Sequence, residues 1–111
     1  MKKLFKIKVL DTTYTVFESN QIEDDTLIDR DAYVSYLRKE IVIDETKNPH
    51  YKNHLLNHEL VHAFLFECGL ADQTWSGNEE IVDWIALQSS KLNNVLNESK
   101  GKLFEYEYKK N

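Results

Sequence analysis

The nine residues HLLNHELVH, 54–62, carry three of the chain's four histidines at intervals of four. Read as a helix, the stretch puts His54, His58 and His62 on one side, and the flanking residues agree with that reading. Asn48 offers a capping side chain, and Pro49 has the fixed φ that suits a first helical turn. Gly69 is the first residue suited to ending it, so the pattern predicts a helix from 49 to Cys68. Leu55, Val61, Leu65 and Phe66 fall near the histidines, and Leu56, Leu60, Ala63 and Phe64 fall opposite them. A helix apolar on nearly every side is expected to be buried.

On the N-terminal side, KLFKIKVL and TYTVFES flank DTT and alternate β-branched or aromatic residues with polar ones, which predicts strands near 3–10 and 13–18. AYVSYLRKEIVID predicts a second pair, 32–37 and 40–44, turning at Arg38 and Lys39. Between the pairs, residues 20–31 read as a loop or short helix. On the C-terminal side a second helix is expected to start at a Ser76 or Asn78 cap and run to Leu96, with Val82, Ile85, Ser89, Leu92 and Leu96 along one face. The tail KGKLFEYEYKKN is ambiguous and leans toward a strand at 103–108. With one proline, three glycines and no linker-like tract, residues 1–111 read as one domain. The expected class is α+β, a small antiparallel or mixed sheet of short strands packed on two main helices.

Charge and sulfur narrow the function classes. The net charge is −5, and acidic residues crowd ESNQIEDDTLIDRD, 18–31, a face that would repel a phosphate backbone, so nucleic acid is not an expected partner. Lys2, Lys3, Lys6 and Lys8 read as a solvated strand edge. A single cysteine, Cys68, allows no internal disulfide and no thiolate cluster, and is expected as a buried thiol. The N-terminus alternates where a signal peptide would run apolar, and no window suits a membrane span. Cytoplasmic residence, with no membrane partner, is the expectation.

The chemistry is concentrated at His58-Glu59-Leu60-Val61-His62, an H-E-x-x-H pattern. Histidines four apart on one helical face bring two imidazoles within reach of one zinc ion, and the glutamate after the first faces the ion's open side as a general base. In a buried helix these polar groups would cost several kcal/mol if left unpaired. His54 and His62 stand about 12 Å apart along the axis, too far to share an ion, so His54 is a possible cleft-wall residue. A third ligand could come from Cys68, Glu79 or Glu80. With Leu65 keeping the chain helical, Cys68 ends almost two turns away from His62. Glu79 borders the apolar face of the second helix and Glu80 lies about 100° further round, so periodicity favours Glu79. Asp83, one turn on from Glu79, could accept the free ring N–H of a ligand histidine.

NHELVHAF followed by NEEIVDWIA resembles the gluzincin clan of zinc metallopeptidases, whose thermolysin-like members carry N-E-x-x-x-D on the second helix, as Asn78-Glu79-Glu80-Ile81-Val82-Asp83 does here. The order EIVID, loop, H-E-x-x-H helix, second motif is similar to small phage and mobile-element members near the ImmA/IrrE-like group, over roughly residues 32–96. That group often has Asn where this chain has Asp83. The resemblance implies a minimal zincin-like fold, Zn2+ held by His58, His62 and Glu79, Glu59 as catalytic base, and Asp83 behind the ligands. It also implies a protein or peptide as substrate or binding partner. A zinc peptidase needs a donor for the oxyanion, and His50, Tyr51, His54, Trp75 or Tyr106 could reach the cleft. Ile41–Asp44 is either the edge strand on which a peptide could lie or an inner strand. The alternative to a peptidase is a zinc-stabilised binding module without turnover, such as a phage accessory protein. A weaker third reading is a metal-free interaction domain.

Overall fold

A computed structural model describes residues 1–110. Two strands, β1 (Lys2–Val9) and β2 (Thr12–Ser19), form an antiparallel hairpin. Its turn falls at Leu10 and Asp11, one residue earlier than DTT suggested, with Leu10 at a positive φ of 55°. After a short 3-10 turn, Asp25–Ile28, come β3 (Ala32–Ser35) and β4 (Glu40–Asp44), also antiparallel. β3 ends two residues before the expected 37, which leaves Tyr36 and Leu37 in the turn.

The sheet is mixed, in the order β1-β2-β4-β3, because β4 lies parallel to β2. Of the two readings of Ile41–Asp44, the inner one holds: β4 is hydrogen-bonded on both sides, and β3 is the edge strand at that end. Burial explains the order. Ile41, Val42 and Ile43 are almost wholly buried, as expected of a strand covered on both faces. β1, with its lysines, takes the opposite edge, where charge discourages further pairing.

Helix α1 (Pro49–Glu67) crosses one face of the sheet. Asn48 caps it, accepting the Tyr51 N–H at 2.9 Å, and Gly69 at φ 83° ends it. Val9, Tyr14, Val16, Ala32, Ile41 and Ile43 form the core with Ala63, and Leu55, Leu56 and Leu60 pack against it. The helix is buried on that side only. Phe64 and Phe66 are exposed, against the expectation of burial all round, because a single small sheet can cover only one side of a helix. Cys68 is likewise exposed and not a buried thiol, since it forms the helix C-cap beyond the last turn that touches the sheet.

Helix α2 (Glu79–Ser99) is capped by Asn78, which accepts the Ile81 N–H at 3.0 Å. Ser76, the other candidate, is buried in the loop and donates to the Ala71 and Gln73 carbonyls. The tail is not a strand. Residues Lys102–Lys110 form helix α3, which has no sheet edge beside it to supply strand hydrogen bonds. No helix among the described residues is long and apolar enough to cross a membrane.

Candidate metal centre

α1 and the start of α2 pack so that the two halves of the motif face each other across a cavity of about 750 Å³. His58 and His62 project one helical turn apart from α1, with ring centroids 5.0 Å from each other. The Glu79 carboxylate, from the first residue of α2, reaches both. His58 Nε2 lies 2.6 Å from its Oε2, and His62 Nε2 lies 3.1 Å from Oε1 and 3.3 Å from Oε2. Two ligands each about 2.0–2.1 Å from a tetrahedral zinc would stand roughly 3.3 Å apart, so the three side chains need to open only slightly to admit the ion.

Glu59 points into the same place from behind. It is 8% exposed, and its carboxylate belongs with His58 and His62 to a group whose ligand atoms all lie within 4.8 Å of one another. Either glutamate could complete a His-His-carboxylate set. Glu79 holds the better position for it, because its oxygens contact both Nε2 atoms while Glu59 sits next to His58 in the chain. Glu80, the competing candidate, does not line the cavity.

Behind the pair, Asp83 Oδ1 lies 3.0 Å from His58 Nδ1. A proton on Nδ1 donates to Asp83, and a metal taking the place of the proton between Nε2 and Glu79 would receive the Nε2 lone pair. The same Asp83 oxygen lies 2.8 Å from His54 Nε2, so His54 joins the cluster through this carboxylate, a link that helix spacing alone did not reveal.

Electrostatics follow from this crowding. Burial disfavours a proton on His58, but hydrogen bonds to Asp83 and Glu79 outweigh it and raise the imidazole above its usual range. Burial also works against the Glu79 carboxylate, yet its bonds with His58 and His62 hold it below the usual range. For Glu59 burial dominates and pushes the carboxyl up, against the pull of His62 and His58. A carboxylate raised in this way is a stronger base than one in water.

Two further cavity residues were not foreseen. Tyr36, in the β3–β4 turn, has its hydroxyl pushed up by burial and by the nearby Glu59 and Glu79. Its ring stacks on Phe66 of α1 at 4.3 Å, which holds it over the site. Arg30 lies just before β3 and lines the cavity, favouring the charged form of Glu59. Neither makes a hydrogen bond or ion pair with another described residue. No sequence spacing marks either one, because the β3–β4 turn brings Tyr36 to the helix and the loop before β3 brings Arg30. Of the donors considered from sequence, Tyr51 and His54 line the cavity, whereas His50, Trp75 and Tyr106 do not.

Comparison of the chain with protein-family models, with curated proteins and with solved structures finds no match in any of the three.

Proposed function

We propose that this protein is a minimal zinc-dependent peptidase of gluzincin type, working in the cytoplasm on a protein or peptide partner. The convergence of Glu79 from α2 on both His58 and His62 from α1 carries the reading, because a carboxylate touching two imidazoles one turn apart is the ligand set of a catalytic zinc site. His58, His62 and Glu79 would hold the ion, with Asp83 fixing the His58 ring. Bound there, zinc would supply Lewis acidity, polarising a water and the scissile carbonyl.

The chain's own groups account for the proton and the charge. Glu59 takes the proton of the attacking water and hands it to the leaving amine, a task suited to a carboxyl raised by burial. Tyr36 and Arg30 are the uncommitted donors in the wall, and Tyr36, held by Phe66, is the better placed to receive the charge that develops on the carbonyl oxygen. β3, the sheet edge whose Ala32 and Val34 line the cavity, offers the backbone on which an extended peptide would lie.

Metal analysis of the purified protein is expected to find one zinc per chain, and none in His62→Ala. Glu59→Gln is expected to keep the zinc and lose peptide hydrolysis. A parent that takes up no zinc would refute the site. A Glu59→Gln protein that retains both zinc and its function would instead make the chain a zinc-stabilised binding module.

A further inference from the structure

Away from the metal centre, the least explained feature is the C-terminal third of the chain. The radius of gyration is 17.9 Å and the longest dimension 68 Å, against about 13 Å for the radius of a compact chain of this length. The excess comes from α2 and α3. Every residue from Ser89 to Lys109 is exposed, yet the sequence there is not that of a solvated helix. Val82, Ile85, Ser89, Leu92, Leu96 and Ser99 recur at alternating spacings of three and four, the pattern of a helix that packs against another helix. α1 covers the stripe at Val82, which is fully buried. Beyond Ser89 nothing described covers it, and Leu92 and Leu96 are more than half exposed. The uncovered turns of α2, 89–99, are shorter than the about 12–15 residues that an unsupported helix needs in water.

We propose that the open part of this stripe pairs with the same stripe of a second copy of the chain, antiparallel, about a twofold axis beside Asn94. The stripe is complementary to itself in that direction. Leu92 of each copy meets Leu96 of the other, and Ser89 meets Ser99, so large residues share one layer and small ones the next. On the flanks Asn93 faces Asn93 and Val95 faces Val95. No two like charges oppose each other, as they commonly do when a surface must reject its own copy.

A second observation fits the same register. An apolar groove of about 660 Å³ runs between α1 and α2, lined by Leu60, Val61, Phe64, Leu65, Ile85 and Ala86. In the antiparallel pair, Ser99 at the end of the second copy's α2 stands level with Ser89, which borders this groove, and α3 follows after two intervening residues. α3, whose Leu103 and Phe104 are about three-quarters exposed or more, thus arrives beside a groove that its own copy leaves open. One twofold arrangement covers the stripe, the groove and the apolar side of α3 together.

Light scattering of the 111-residue chain at micromolar concentration is expected to give twice the chain mass, and Leu92→Asp with Leu96→Asp is expected to give the single-chain mass with unchanged far-ultraviolet circular dichroism. Cross-linking tests the register on an otherwise native stripe. In a Cys68→Ser background, Ser89→Cys mixed with Ser99→Cys should form a mixed disulfide dimer on oxidation. A monomeric parent overturns the proposal and leaves the stripe to a different protein. So does a dimer indifferent to the two aspartates, or cross-linking confined to Ser99→Cys with itself, which would mean parallel pairing.

Discussion

Asp83 is the residue whose removal most directly tests the proposed metal centre. One of its oxygens receives both His58 Nδ1 and His54 Nε2, so Asp83→Ala frees the His58 ring to turn and to change tautomer. Zinc affinity is expected to fall about 10- to 100-fold by competition with a chelating dye, the usual loss when a partner behind a ligand histidine is removed. An unchanged affinity would mean that α1 packing alone orients the ring. Glu67, at the far end of α1, makes a separate prediction. It accepts from Thr12 at 2.9 Å, Tyr14 at 2.6 Å and Lys39 at 2.7 Å, and these bonds, Lys39 first, lower its carboxyl from 4.5 to about 2. A lowered folded-state value means that the stabilisation is complete above pH 4.5 and is lost as pH falls through about 2. Glu67→Gln should therefore unfold at lower urea than the parent at neutral pH, and the difference should shrink in acid between those two values. A difference constant with pH would show that the charge is not what matters. The residues of the H-E-x-x-H pattern could be picked from sequence because their geometry is local to one helix. Tyr36 and Arg30 could not, since only the sheet brings them near Glu59.

Among the elements, α1 was the most legible, from its Asn48 cap to its Gly69 stop. Asn48→Ala is expected to cost about 1 kcal/mol in urea unfolding, because the Tyr51 N–H loses its acceptor. A loss close to zero would mean that the β4–α1 connection, not the cap, fixes where the helix starts. The strands were legible as segments but not as a sheet. Alternation marks EIVID as a strand equally well whether β4 lies at an edge or inside, and the decision rests on its parallel pairing with β2, which joins residues some 25 positions apart. The tail misled for a related reason. LFEYEY alternates as a strand would, but no strand is within reach to receive it, and residues 102–110 wind into a helix instead.

At the scale of the molecule, the candidate metal centre lies between α1, which is anchored in the sheet core, and α2, of which only Val82 is deeply buried, so a bound ion would clasp the two. Zinc at a hundredfold excess over its dissociation constant is expected to add about 2.7 kcal/mol of stability. In a domain near this size that raises the melting temperature by roughly 4–8 °C for each kcal/mol, readable by calorimetry with and without a chelator. No shift would mean that the two helices hold together without the ion. The sequence by itself determined the α+β class, the helix caps, the paired histidines and the acidic residues that could join them, because helical phase and capping depend on neighbours within a few positions. Only the tertiary structure decided the strand order and the place of Tyr36 and Arg30 in the cavity wall. It also decided that Asp83 serves His54 as well as His58, and that the apolar stripe of α2 runs on past its cover. Each of these depends on contacts between segments far apart in the chain, and no local pattern encodes which surfaces meet.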